Sequence, residues 1–433
     1  MVASQHHRGT VDFMGPYQRR IIDDELDELF PQLPAVLLDG PKGVGKTSTA
    51  EQRCVRVRRL DVEAERQVVA ANPAVISGDD RPLLLDEWQR VHATWDAVRR
   101  LVDEDPSGGQ FILTGSAPTK ESHSGAGRIT SMRMRPLTLP ERGVCEPSVS
   151  LAALLGGDVD VGGRTDVALA DYVAEMVAGG FPGLRHLEGR ALTRQLDSYL
   201  ERIASHDLPE AGFAVRRPAT VMAWLHAYAA ATGTTASWEK IRTHAQVSAD
   251  AHPAKTTTQP YIELLTALRI LDPVPAWIPS NNHLGVLTQA PCHHLADPAL
   301  AARLVKRSAA RLLRGEGPSP VQPRDGGFLG GLFESLATLS VRVFAQASDA
   351  RVHHLRTEKG RREVDLIVET DDGVLGIEVK LAAAVDDADV RHLIWLRDKL
   401  GDECIDTVVL HTGPEAYRRT DNVAVVPLAL LGP

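Results

Sequence analysis

The stretch GPKGVGKT at 40–47 satisfies the spacing G-x-x-x-x-G-K-[ST], with an apolar strand, AVLLDG, before it and a helical pattern after it. A loop running Gly40, Pro41, Lys42, Gly43, Val44, Gly45 lets backbone N–H groups wrap a phosphate, and the helix start adds its dipole. In that setting Lys46 reaches the β- and γ-phosphates, Thr47 holds Mg²⁺, and Ser48 follows in the first turn. The expected ligands are therefore ATP and Mg²⁺. A second apolar run, PLLLDE, ends in two acids. Asp86 would stand near the metal, and Glu87 would orient or deprotonate the attacking water. A third run, FILTGSA, would present the hydroxyl of Thr114 or Ser116 beside the γ-phosphate. Arg128, Arg133 and Arg135 follow, and an arginine among them could stabilise transition-state charge, Arg128 being the first choice. If it acts on a neighbouring subunit, the protein must be a homo-oligomer.

A different chemistry is written at 361–380, RREVDLIVETDDGVLGIEVK. Val364, Leu366 and Val368, then Leu375, Ile377 and Val379, alternate as two strands about a TDDG turn. A turn over Thr370–Gly373 sets Asp365 opposite Glu378 and Glu363 opposite Lys380. Opposed like charges destabilise a strand pair, and a divalent cation between them would offset that cost. Converging carboxylates that hold metal ions are what metal-dependent phosphodiester cleavage needs. Lys380 could polarise the water. Arg351, Arg356, Lys359, Arg361 and Arg362 could meet a phosphate backbone. The same hairpin also reads as a solvated surface with a Glu363–Lys380 pair.

Taken together, GPKGVGKT, LLLDEWQRV, FILTGS, GAGRI, RPLTLPE, GGFP, SYLERIASHDL and the 361–380 hairpin make the chain resemble a known family. These are the prokaryotic AAA-type ATPases that carry a C-terminal domain of unknown function related to PD-(D/E)xK nucleases. The resemblance runs from about residue 17 to 430. It implies an ATPase core, a winged-helix segment and a restriction-nuclease-like end, in which Glu334, in LFESLA on the helix before the hairpin, matches the helix acid that completes such sites. Trp88 stands where the family has a small aliphatic residue. The stretch VSADAHPAKTTTQ expands the gap between the two winged-helix helices.

The elements that must position these residues follow from periodicity. Strands alternating with helices through residue 117 predict a parallel α/β sheet. The pattern dissolves between Arg135 and Val149. A mostly helical stretch follows, with SWEKIRTHAQV and TTTQPYIELLTALRIL as the two helices of a winged-helix-like unit, then LVKRSAARLLR (304–314) as a basic helix. RGEGPSPVQPRDGG reads as a linker. The expected domains are 1–145, a P-loop ATPase domain; 146–314, helical and winged-helix-like; and 315–433, nuclease-like α/β. The last has the order helix, strand, hairpin, helix (387–400), strand (405–411).

Net charge is −9, with 43% hydrophobic and 24% charged residues, so no global basic field marks a nucleic-acid binder. DNA binding, if present, must be local. The four cysteines form no metal-ligand spacing in sequence, and the His-His pairs at 293–294 and 353–354 read as incidental. No uninterrupted apolar run approaches about 18 residues, so the expectation is a cytoplasmic protein without a membrane span. Two alternatives to an ATPase acting on DNA or a partner stay open. One is a non-cleaving, nucleotide-controlled switch, and the other is an ATP-gated nuclease using a second divalent metal.

Overall fold

The computed structural model describes residues 17–115, 125–157, 160–213, 215, 217–245, 252–279, 290–314, 326–357 and 362–433. Ser116, Lys359 and Arg361 lie outside them. The N-terminal segment is a five-stranded parallel sheet of β1 (Ala35–Asp39), β2 (Arg56–Arg59), β3 (Leu83–Asp86), β4 (Phe111–Gly115) and β5 (Ile129–Arg133), in the order β2-β3-β4-β1-β5. Leu83, Leu84, Leu85 and Phe111 to Leu113 are fully buried. Such continuous apolar strands are what a parallel sheet covered on both faces demands. The order brings three carboxyl ends together. Asp86 pairs with Thr114, and Asp39 pairs with both Gly115 and Arg133.

The next segment is helical, as its periodicity predicts, with helices Leu169–Ala178, Gly189–Arg202 and Pro218–Ala230. The two helices expected of a winged-helix-like unit form at Trp238–His244 and Lys255–Ala267, followed by antiparallel bridges Leu271–Leu295 and Val274–Cys292. Trp224 stacks on Tyr228 and Trp238 beneath them. The basic stretch 304–314 is not one helix. Pro298–Leu304 ends, Lys306 takes a left-handed φ of 57°, and Ala309–Arg314 begins anew.

At the C-terminal end, helix Gly326–Gln346 leads into a larger sheet. By length and composition its stretch Gly327–Gln346 could cross a membrane, but most of it is buried inside the protein. Besides β6 (Val149–Ser150) and β7 (Gly163–Arg164), the strands are β8 (Arg351–Arg356), β9 (Glu363–Glu369), β10 (Val374–Lys380), β11 (Cys404–His411), β12 (Glu415–Arg418), β13 (Ala424–Pro427) and β14 (Leu431–Gly432). The sheet order is β7-β12-β13-β11-β10-β9-β8, and β14 pairs with β6. Residues near 149–164 therefore pair with C-terminal strands, β7 at the edge of the larger sheet and β6 in a two-stranded sheet with β14, rather than with the helices they adjoin in sequence. Helix Asp387–Leu400, capped by Asp386, covers one face.

One buried ionic cluster ties the three segments. Asp272, just after the winged-helix-like pair, accepts from Arg135 Nε at 2.9 Å and lies 3.2 Å from Arg342 and 3.5 Å from Arg133. Arg133 and Arg135 follow from the first sheet, and Arg342 belongs to helix Gly326–Gln346. Burial pushes the Asp272 carboxyl up, but the arginines outweigh it and hold the group far below the usual range. Beside this cluster, Arg269 pairs with Asp39 at 2.5 Å. Arg269, just past the helix Lys255–Ala267, takes a left-handed φ of 63° and reaches toward the first sheet.

Removing one member of a buried ion cluster leaves uncompensated charge and costs about 3–5 kcal/mol. Asp272→Ala should destabilise the protein by that order in denaturant unfolding. Arg128→Ala, which removes a partly exposed pair with Asp103, should change stability by less than about 1 kcal/mol.

Candidate functional site

The loop that leaves β1 is shaped by glycines. A Cβ on Gly40 would lie 2.2 Å from the Met134 carbonyl oxygen, so no other residue fits there. Gly43 and Gly45 take left-handed φ values of 83° and 98°, which turns successive N–H groups toward one concavity. The following helix, Lys46–Glu51, is only one and a half turns long, so the loop amides rather than a helix dipole supply the cradle. Arg20 braces the loop from behind, donating to the carbonyls of Val44 and Arg135 at 2.9 Å each.

Lys46 is buried, and its ammonium donates to the carbonyls of Gly40 at 2.7 Å and Pro41 at 2.9 Å. Burial pulls its pKa down to about 8, against the opposing charges of Glu87, Asp39 and Asp86. Asp86 Oδ1 accepts from Thr47 at 2.8 Å and from Thr114 at 2.5 Å. This convergence of hydroxyl and carboxylate oxygens is a donor set that suits Mg²⁺. Glu87 follows with φ 55°, a left-handed conformation that is costly for a residue with a long side chain. Its carboxylate accepts from the Gln89 amide at 2.5 Å. Trp88 packs at 2% exposure, 4.7 Å from Trp95, so its unusual bulk fills the core behind the acids.

The helical segment supplies parts of this site that sequence reasoning missed. Phe181 and Pro182, of the GGFP stretch, come against the positions of Gly43 and Gly45. The Tyr199 hydroxyl donates to the Lys42 carbonyl at 3.1 Å. The Lys42 ammonium donates to Asp207 at 2.7 Å and to Glu210 at 3.1 Å, while Glu210 also meets Arg90 at 2.8 Å. Asp207 closes a π-helical turn, Ile203–Asp207, of the kind often found at functional sites. The only sequence signal was the polar SHDLPE run, which carries no partner information.

Arg128 does not join the site. Ile129 pairs with Ala35, so Arg128 lies at the amino end of the strands, about 16 Å from their carboxyl ends at ~3.3 Å per residue. It pairs with Asp103. Arg133 occupies the productive end, 3.9 Å from Asp39, but it is committed to the buried Asp272 cluster.

In the C-terminal sheet the hairpin register is the expected one up to Leu366–Ile377, where the ladder stops. Asp365 and Glu378 are not a ladder pair, because the Asp365 carboxylate itself accepts the Val379 N–H at 2.8 Å. The four expected residues nevertheless gather. Glu378 is buried and takes the Lys380 ammonium at 2.7 Å. Burial raises the pKa values of Glu334 and Glu378 well above the carboxylate range, and Asp365 is the strongest charge adding to both shifts. Burial lowers Lys380, but Glu378 and Asp365 outweigh it and raise the group. His392, from the covering helix, approaches Glu378 at 3.8 Å. Of the surrounding cations, Arg356 is held by Thr235 and Glu363, Arg362 lies over Trp395, and Arg351 is exposed.

Residues 32–142 match the family model of an AAA domain. The N-terminal segment is an AAA-type P-loop domain. Residues 169–311 and 329–431 match two domains of unknown function, DUF8612 and DUF4143. Uncharacterized proteins of Mycobacterium bovis and Mycobacterium tuberculosis are each 26% identical over 301 residues, which is 66% of this chain. The aligned region spans 60% of the length of those relatives. Among solved structures, the Walker-type ATPase PABY2304 of Pyrococcus abyssi covers 65% of this chain and 94% of its own. It shares 16% identity at a TM-score of 0.38, which carries no argument. A Vibrio cholerae protein, VC1899, covers 91% of this chain and 94% of its own, with 12% identity and a TM-score of 0.18.

Within the AAA-type domain the lowered pKa of Lys46 has a measurable consequence. Nucleotide phosphates would favour the ammonium, so binding takes up a proton once pH exceeds about 8. ATP affinity should therefore fall roughly tenfold between pH 7 and pH 9, measured by titration calorimetry. The residual binding of Lys46→Ala should lack that dependence.

Proposed function

We propose that the protein is a Mg²⁺-dependent ATPase whose nucleotide state controls the C-terminal carboxylate cluster. The observation that carries the reading is the convergence of Thr47 and Thr114 on Asp86, beside the Lys46 ammonium and the glycine cradle. Lys46 pairs with the terminal phosphates of ATP and leaves its two loop carbonyls to do so. Thr47 and Asp86 hold Mg²⁺, which supplies charge neutralisation at the phosphate oxygens. Glu87 accepts a proton from the attacking water, with Gln89 fixing its carboxylate. Lys42, held by Asp207 and Glu210, links the loop to the helical segment, so a change of phosphate contacts reaches that segment directly. Arg133, Asp272 and Arg342 continue the path to helix Gly326–Gln346, which carries Glu334.

For the C-terminal region the reading is metal-dependent cleavage of a phosphodiester, DNA being the substrate class. It is supported by the gathering of Glu334, Asp365, Glu378 and Lys380. Carboxyls raised by burial and mutual repulsion are groups that a divalent cation would stabilise in their charged form. A non-cleaving switch uses the same fold and the same path, and the assay below separates the two.

Lys46→Ala and Glu87→Gln should each reduce ATP turnover by at least about 100-fold. Unchanged turnover in either purified variant would sink the ATPase assignment. Plasmid and linear single-stranded DNA, incubated with Mg²⁺ or Mn²⁺ with and without ATP, should be cut by the native chain. Asp365→Ala and Lys380→Ala should not cut. An absence of cutting by the native chain under every condition selects the switch.

A further inference from the structure

The buried seam between the winged-helix-like unit and helix Gly326–Gln346 holds a second kind of ligand set. Cys292 Sγ lies 3.5 Å from Glu334 Oε1, and His294 Nε2 lies 3.8 Å from the same oxygen. All three ligand atoms fall within 4.8 Å of one another. Zn–S and Zn–O bonds of about 2.3 and 2.0 Å at a tetrahedral angle put the two donors roughly 3.5 Å apart. The thiol and carboxylate are thus spaced as adjacent corners of such a site.

The backbone makes this arrangement rigid. Cys292 and Val274 exchange both backbone hydrogen bonds at 2.9 Å, and the His294 carbonyl accepts from Asp272 N at 2.9 Å. Alternation along this extended piece puts Cys292 and His294 on one face and His293 on the other. His293 is accounted for, with Nε2 2.7 Å from the Ala236 carbonyl and its ring 4.5 Å from Trp238. His294 is not, because it is buried at 2% exposure and neither ring nitrogen has a hydrogen-bond partner. Burial drives its pKa down to about 3, so it is a neutral imidazole, the form that ligates metals. Glu334 reaches the pair because two glycines let its helix close in. A Cβ on Gly331 would lie 2.5 Å from the Thr232 carbonyl oxygen, and one on Gly233 would lie 2.7 Å from the Gly331 Cα.

We propose that Cys292, His294 and Glu334 form a three-ligand site for a borderline transition-metal ion, with Zn²⁺ as the preferred occupant. Thiolate and imidazole select Zn²⁺ over Mg²⁺, which takes oxygen ligands. Coordination deprotonates both the Cys292 thiol and the Glu334 carboxyl, which burial keeps protonated, and releases those protons to solvent. Three protein ligands leave a fourth position open, as in zinc sites that bind water. The site also draws Glu334 away from Asp365 and Glu378, so occupancy would set how many carboxylates the neighbouring cluster retains. The proposal shares Glu334 with the carboxylate cluster but requires neither ATP hydrolysis nor phosphodiester cleavage.

Co²⁺ serves as the probe, since a cobalt–thiolate bond gives a charge-transfer band that oxygen ligands do not. The full chain, stripped with chelator, should bind one Co²⁺ with that band, and Zn²⁺ should displace it. Cys292→Ser should lose the band. His294→Gln should weaken binding by at least the roughly 10- to 100-fold that losing an outer-shell partner costs. Asp365→Asn should keep the band, which separates this site from the carboxylate cluster. A band that persists in Cys292→Ser would place the ion on Cys54, Cys145 or Cys404 and overturn the proposal. So would loss of the band in Asp365→Asn. If Cys292→Ser fails to fold, X-ray absorption of the native zinc-loaded chain decides. One sulfur at about 2.3 Å supports the site, and a shell without sulfur removes it.

Discussion

A carboxylate removed from water holds the three segments of this protein in register. Asp272 keeps only 14% of its side-chain surface exposed, so it is the surrounding Arg133, Arg135 and Arg342 that hold it charged. Each guanidinium is itself buried, and burial pulls Arg133 down to about 9 and Arg342 to about 10. Neither sign is tolerable alone, which makes the cluster cooperative. Its members come from the end of the first sheet, the unit after the two short helices, and the long helix of the C-terminal region. Separating any of these segments would strand a charge. The cluster thus fixes their relative position more specifically than apolar contact, which is indifferent to small slides.

That constraint reaches the phosphate loop within a few residues. Asp39 ends β1 and immediately precedes Gly40, and it is held by Arg269 from the helical segment. The loop is gripped again at Lys42 by Asp207 and Glu210, while Phe181 and Pro182 lie against its glycines. Glu210 also holds Arg90, just beyond the acidic pair at Asp86 and Glu87. Both halves of the nucleotide site therefore share one acidic anchor, Glu210, just after the π-helical turn. Physical coupling between the site and the rest of the chain needs such contiguous, two-sided contacts.

The C-terminal cluster shows how far local arithmetic goes. The turn and alternation of 361–380 predict the observed register, since one slipped residue would send Leu366 and Ile377 to the wrong face. They do not predict that Asp365 would spend a carboxylate oxygen on the Val379 N–H and end the ladder there. Nor do they reveal the seam at Cys292 and His294. The His-His pair reads as incidental because its meaning depends on a helix that follows it by some forty positions.

What the sequence determined by itself is whatever depends on neighbours in the chain. The glycines of the phosphate loop, the apolar runs ending in Asp86 and Thr114, and the hairpin about Thr370–Gly373 are local patterns with local physical causes. The five-stranded sheet, the long helix and the candidate residues Lys46, Thr47, Asp86, Glu334, Glu378 and Lys380 follow from them. What only the tertiary structure decided is which charges face one another. Arg128 and Arg133 stand at the two ends of β5, yet parallel pairing puts one at the amino end of the sheet and the other beside Asp39. Arg269 reaches across to hold Asp39 at the end of β1, and residues near 149–164 join strands hundreds of positions away. Coulomb and ligand interactions act through space and depend on burial, and sequence separation carries neither quantity.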